Sequence, residues 1–361
     1  MRLKQRLCIC LAATLVLLPA LFFLLPAPPA PSLHTFTGLT MGTSYAVLVN
    51  AETLPLPRQP LQAQFEAMLE QVNGQMSTYL PESELSRINA TNTSAWVPVS
   101  PPLMEVLLAA RQLSRRTQGA FDVTVAPLLE LWGFAPGRDF TVPEAAQVTR
   151  ALHLVGYEKL QLDTATSSLQ KAHGNMSLEL SAIAKGYAVD QLADYLEQLQ
   201  VANYLVEIGG EIRARGVNNK QQPWQIGIEQ PLAGQRQVRR SVQLHNMAMA
   251  TSGDYRNFFE QDGRRYSHTI DPRSGYPVTH TLASVTVLHP AAMHADAWAT
   301  ALLALGPEAG YTLAVQYGLA AYFIMHHDEG FREKFTPGFK SCLVDDKLHP
   351  DGSMSEVGPV G

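Results

Sequence analysis

The chain has 361 residues, 46% of them hydrophobic and 16% charged, enough for one large domain or two modest ones with a sizeable core. Its formal net charge is -5, from 27 Lys+Arg against 32 Asp+Glu, without a long basic run, which argues against a nucleic-acid partner. Two of its three cysteines, Cys8 and Cys10, fall in the first dozen residues and no CxxC pair exists, excluding a cysteine-rich zinc site and a dense disulfide framework.

Arg2, Lys4 and Arg6 precede an almost uninterrupted apolar run over residues 7–25, which as a helix would span roughly 28 Å, close to the hydrocarbon thickness of a bilayer. The leading positive charges predict an N-in, C-out orientation. Residues 26–33, opening with Pro26-Ala27-Pro28-Pro29-Ala30-Pro31, read as a stiff Pro-rich linker. Proline on both sides of Ala30 is a poor fit to signal peptidase, so residues 1–25 are read as an uncleaved membrane anchor in preference to a removed signal sequence. The expected location is the inner membrane, with a single N-terminal anchor and the body at 34–345 facing the periplasm. Residues 346–361, rich in Gly, Pro and Ser, are expected to be a disordered tail.

In the body, 34–50 has β-branched and aromatic character and reads as strand, broken at Gly38 and Gly42. Residues 61–76 carry Leu61, Phe65, Met68, Leu69, Val72 and Met76 at helical spacing. Further helices are predicted at 103–114, 143–154 and 183–199. Segments 204–208 and 211–216 flank Gly209-Gly210 as a hairpin. Strands follow at 224–229, 238–244 and 283–288, helices at 294–305 and 308–317, and a strand at 320–325. Strands and helices mixed without regular βαβ alternation predict an α+β fold, with mixed or antiparallel sheets and packed helices. No GxGxxG follows a strand and no GxxxxGK[ST] exists, so neither common phosphate-loop nucleotide site is supported.

Five constellations stand out. In Gly119-Ala120-Phe121-Asp122-Val123-Thr124-Val125, Asp122 lies among apolar residues and must be hydrogen-bonded, either as a helix N-cap or to a ligand. In the segment 179–190, small residues open a helix whose N-terminus could meet phosphate. Glu207-Ile208-Gly209-Gly210-Glu211 is explained by a tight turn. In 250–255 and 266–278, His268 sits among hydroxyl and carboxylate residues, suited to proton transfer or phosphate contact, while 271–277 has strong turn chemistry. In His294-Ala295-Asp296-Ala297-Trp298-Ala299-Thr300, the acid and hydroxyl four apart share one helix face and could share an oxygen-loving cation such as Mg²⁺.

Taken in order, MGT at 41–43, GAFDVTV at 119–125, LSAIAKGYAVD at 180–190, EIGGE at 207–211, ATSGDYRN at 250–257, YSHTIDPRSGYPV at 266–278 and HADAWATAL at 294–302 resemble the ApbE-type FAD:protein FMN transferases. The resemblance covers roughly 34–340 and implies the ApbE-like flavin transferase fold. It also implies a Mg²⁺-dependent enzyme that splits FAD at its pyrophosphate, attaches FMN to a threonine of a partner protein and releases AMP. The implied acceptors are exported or membrane subunits of ion-pumping quinone reductases and related electron carriers.

By the same resemblance, Met41, Tyr79, Ala120, Phe121 and Asp122 line the flavin nucleotide site, with Tyr79 stacking on a ring. Ser181, Lys185 and His268 contact the nucleotide. The carbonyl of Ala184 joins Asp296 and Thr300 as metal ligands, and His268 is needed for transfer. A threonine hydroxyl is a weak nucleophile at neutral pH, so a base helps. His268 is the first candidate and Asp296 the second. The chain departs from many relatives in lacking a lipobox cysteine and in carrying Glu179 where Asp is common. Two other readings stay open: a Mg-dependent FAD pyrophosphatase yielding FMN and AMP, and a non-catalytic periplasmic FAD-binding protein.

Overall fold

Two-residue turns organise the sheet. Strands β1 (Ser32–Thr40) and β2 (Thr43–Ala51) pair antiparallel around Met41-Gly42, whose φ values of 49° and 73° are the left-handed pair that tight hairpins use. The expected second break, at Gly38, is absent. Gly38 lies inside β1, where an added Cβ would come within 2.5 Å of the Tyr45 ring on β2, so its missing side chain makes room for a neighbour. Strands β3 (Tyr204–Ile208) and β4 (Glu211–Arg215) flank Gly209-Gly210, again with positive φ, as the hairpin reading expected.

The sheet is completed by β5 (Met247–Gly253), β6 (Leu282–His289), β7 (Ala320–His327) and β8 (Gly330–Phe335). The eight strands lie side by side in chain order, and every neighbouring pair is antiparallel. Helices α1 (Arg58–Met76), α2 (Pro101–Arg116), α3 (Ala184–Gln198), α4 (Ala292–Leu305) and α5 (Pro307–Gln316) occupy the connections. The fold is therefore α+β, with helices packed on an antiparallel sheet. The computed structural model describes residues 32–232, 237–254, 258–261, 263–328 and 330–344. The expected anchor at 1–25, the tail at 346–361 and all of the 26–33 linker except its last two residues lie outside that range; those two begin β1. No helix among the described residues is long and apolar enough to cross a membrane.

Both faces of the sheet are covered. Val206, Ile208, Val285, Val287 and Phe323 point toward the helical layer and pack with Phe65, Tyr187, Leu192 and Leu302. Leu205, Ile212, Leu288, Tyr322 and Ile324 point the other way, against Trp224, Ile228, Val242 and Leu244 of an antiparallel ribbon, Trp224–Glu229 with Val238–Leu244. Double coverage explains why β6 is buried along its length as far as Leu288, Ser284 and Thr286 included. A smaller cluster of Leu128, Trp132, Val148, Val155 and Ile270 lies under the short helices Ala126–Leu131 and Ala145–Leu152.

The register gathers the turns. Tyr45 faces Ile208, Ile212 faces Met249, and Ser252 faces Val285, so Met41-Gly42, Gly209-Gly210 and the end of β5 share one end of the sheet.

Candidate active site

Helices α3 and α4 cap one another. The carboxylate of Asp190, on α3, accepts the N–H groups of Ala292 and Met293, the first two residues of α4, each at 2.9 Å. In return, Asp296 Oδ2, on α4, accepts the Gly186 N–H in the first turn of α3 at 3.0 Å. Neither helix has a side-chain cap of its own, so each acid supplies what the other helix lacks and meets its dipole favourably. Gly186 permits the approach: a Cβ there would lie 2.3 Å from the Ala292 carbonyl oxygen. The LSAIAKGYAVD and HADAWATAL motifs are thus two halves of one joint.

Charge completes it. Lys185 Nζ lies 2.6 Å from Glu211 Oε2 at the start of β4. Glu211 and Asp296 are only 3% and 4% exposed. Burial holds the Glu211 carboxyl well above its ordinary range, helped by the negative charge of Asp296 and opposed by Lys185. Burial likewise raises Asp296, opposed by Lys185 and by the Gly186 N–H. Two residues along β4, on the same face, Arg213 meets Asp190 at 2.9 Å, Asp194 at 2.9 Å and Glu197 at 3.1 Å. Glu211, read from sequence only as the end of a turn motif, is thus a member of the site. Its signal was present: an acid emerging from a glycine turn into a strand.

The expected metal donors lie on the two helices of this joint. Ala184 is the first residue of α3 and is buried. Thr300, one turn beyond Asp296, is 3.0 Å from the Ser252 hydroxyl at the end of β5. Asp296 Oδ1 meets no hydrogen-bond donor among the described residues. No group of three His, Cys, Asp or Glu among those residues is placed to hold a metal. The set is one carboxylate, two hydroxyls and a carbonyl, all hard oxygens, which fits Mg²⁺ better than a softer ion. The expected phosphate cradle at the α3 N-terminus is partly spent, since the Ala184 N–H goes to the Leu180 carbonyl and that of Gly186 to Asp296.

The remaining nucleotide candidates are tied together by Glu179. Its Oε2 accepts from the Thr78 hydroxyl at 2.8 Å, beside Tyr79; its Oε1 accepts from the Ser181 N–H at 2.9 Å; its own N–H donates to the Val123 carbonyl at 2.8 Å. Sequence reasoning treated Glu179 only as a conservative change. Tyr79 is 70% exposed, Met41 is half-buried against the main core, and Ala120 and Phe121 are buried. Asp122 takes the capping role of its two open readings. It accepts the N–H and hydroxyl of Thr124 at 2.9 and 2.7 Å and the Tyr157 N–H at 2.7 Å, while burial pushes its carboxyl upward against those donors.

His268 occupies the bend between Arg264–Ser267 and Ile270–Asp271, half-buried, with its ring edge-on to Phe134 at 6.5 Å. The Ile270–Asp271 ribbon packs beside α4. The two candidate bases, His268 and Asp296, therefore come from different elements. Residues 255–257 of the ATSGDYRN motif lie outside the described range.

A model of the ApbE family matches residues 41–323. The chain is 44% identical over 312 residues to the FAD:protein FMN transferase of Haemophilus influenzae, covering 85% of this chain and 90% of that protein. Against the FAD:protein FMN transferase of Vibrio cholerae it is 42% identical over 316 residues, with 87% and 94% covered. Among solved structures, the flavin transferase ApbE from Vibrio cholerae superposes with a TM-score of 0.81 at 40% identity, over 87% of this chain and 100% of that one. The apo flavinyl transferase ApbE of Pseudomonas stutzeri gives 0.80 at 42% identity, over 87% and 97%. With this agreement running through both the sheet and the α3–α4 joint, the chain belongs to the ApbE family.

Proposed function

We infer that this protein transfers FMN from FAD to a threonine of a partner protein, releasing AMP. The observation that carries the reading is the α3–α4 joint, where Lys185, Asp296, Thr300 and Ser252 meet at one end of the sheet in a chain whose relatives bear the transferase name. In the reaction, the threonine oxygen forms a bond to the phosphorus of the FMN half. The bond from that phosphorus to the bridging oxygen breaks, AMP leaves with that oxygen, and the hydroxyl proton passes to His268 or Asp296.

Ala184, Asp296 and Thr300 would hold Mg²⁺, which when bound stabilises the charge growing on the pyrophosphate oxygens. Lys185, kept in place by Glu211, is positioned to neutralise a phosphate oxygen. The exposed ring of Tyr79 offers a stacking face to the flavin nucleotide. The apolar run at 7–25 supports a place on the periplasmic face of the inner membrane, where subunits of ion-pumping quinone reductases or related carriers would be acceptors.

The test is in-gel flavin fluorescence of a threonine-bearing acceptor domain incubated with the protein, FAD and Mg²⁺. Labelled acceptor with stoichiometric AMP is expected, and Asp296→Ala is expected to lower the rate by about a hundredfold or more. Free FMN without labelled acceptor would replace this reading with the pyrophosphatase. No turnover with any divalent ion would leave only FAD binding.

A further inference from the structure

We propose that the aromatic ridge beside His268 is the docking surface for the acceptor polypeptide and seats an apolar side chain flanking the target threonine. The proposal rests on the transferase reading. The ridge begins at Phe134, which touches the His268 ring and lies 5.4 Å from Phe140. Phe140 stacks on Phe259 at 5.1 Å and Phe259 on Tyr266 at 4.9 Å. Trp132 follows Tyr266 at 5.7 Å and Tyr276 follows Trp132 at 5.8 Å.

Core packing accounts for only part of this series. Trp132 is buried, and its indole N–H donates to the Gly275 carbonyl at 2.9 Å. Phe140 and Tyr276, however, are 57% and 43% exposed, which a core role does not explain. Tyr276 lines a cavity of about 550 Å³ together with Trp132, Tyr266, the exposed Val142 and the charged Arg265, Asp271 and Arg273.

Its charges point to the kind of occupant. The Arg273 guanidinium forms a two-pronged pair with Asp271 at 2.9 and 2.8 Å. Arg265 lies over the Phe258 ring at 3.9 Å and donates to the Asp254 carbonyl at 2.6 Å. A nucleotide phosphate would find both cations already engaged, whereas an apolar side chain would find aromatic walls. The ridge is continuous with His268, so a polypeptide whose threonine reaches that histidine would have the ridge within reach of its flanking residues. Exposed aromatic rings at the edge of a cleft with polar groups around it are the usual anchors of such a contact.

The test is steady-state transfer by the full chain with Mg²⁺, varying FAD and, separately, the FMN-carrying domain of a sodium-pumping quinone reductase as probe. Phe140→Ala and Tyr276→Ala are each expected to raise the KM for the domain about tenfold while the KM for FAD stays within about twofold. Phe140→Leu, which keeps apolar bulk, is expected to recover most of the loss. An unchanged KM for the domain would overturn the proposal. A KM for FAD rising in step would also overturn it, by assigning the rings to the nucleotide site. Wild-type protein that cleaves FAD without labelling the domain would overturn the transferase reading, and this proposal with it.

Discussion

Replacing Gly186 with alanine sets two effects of opposite sign against each other. In an isolated helix the change gains about 1 kcal/mol, because alanine is the better helix former. Here the added Cβ would lie 2.3 Å from the Ala292 carbonyl oxygen, 2.6 Å from its carbon and 2.7 Å from Met293 Cα. All three are backbone atoms, so no side chain can swing aside, and α3 and α4 must separate by about 1 Å to restore ordinary contact. Overpacking of this kind costs about 1–3 kcal/mol. The shift also stretches the Gly186–Asp296 hydrogen bond, a bond to a carboxylate of a class that contributes about 1.5–3 kcal/mol. The net expectation is a loss of about 2–4 kcal/mol, read as a lower urea midpoint with unchanged slope, together with reduced FAD turnover. A variant more stable than wild type by about 1 kcal/mol would show that propensity alone governs the position, and the close helix approach would be refuted.

Asp190→Asn keeps the shape but removes the charge that serves two α4 N–H groups and Arg213, and is expected to cost about 2–4 kcal/mol in chemical unfolding; adding Arg213→Met should cost less than the sum of the single changes. Gly38→Ala pushes a methyl against the Tyr45 ring and is expected to lower stability by about 1–3 kcal/mol, whereas a neutral result would mean the ring has room to move. Burial, reinforced by His294, lowers the His289 imidazole to about 4. Below pH 6.5 the unfolded chain therefore binds a proton that the folded chain refuses, so stability is full above that pH and falls by up to about 3 kcal/mol as pH drops toward 4. Melting temperature against pH checks this: His289→Gln should flatten the decline, and a slope identical to wild type would assign it to other groups.

Local chemistry was legible wherever it was self-sufficient. The Gly209-Gly210 hairpin and the Ser100-Pro101 opening of α2 follow from turn and cap rules, and the strands Trp224–Glu229 and Val238–Leu244 follow from β-branched content. Two strands of the eight-stranded sheet escaped because their identity is tertiary. β5, with the sequence MAMATSG, has small residues of weak strand preference and becomes strand because β4, β6 and α4 enclose it. β8, GFREKF, carries three consecutive charges, Arg332, Glu333 and Lys334, and is defined by its pairing with β7. The site divides in the same way. Asp296 and Thr300 were found through helix spacing, although an acid and a hydroxyl four apart are commonplace. What distinguishes this pair is the α3 N-terminus opposite, more than a hundred residues away in the chain. Separation in the chain also hid the roles of Glu211, 26 residues from Lys185, and of Glu179, 101 residues from Thr78.

The joint also changes how an anionic substrate would be held. A helix N-terminus ordinarily invites phosphate, because its unpaired N–H groups and dipole carry positive character. At α3 that invitation is partly withdrawn. Asp296 takes the Gly186 N–H, and a second buried carboxyl, Glu211, stands nearby. Lys185 pairs with Glu211, and burial favours the protonated form of both carboxyls in a site largely closed to water. A phosphate approaching this N-terminus would meet two buried carboxyls as well as the Lys185 ammonium. The groups that hold the two helices together are therefore the same groups that would hold the reacting charge, which leaves little room to alter one without the other.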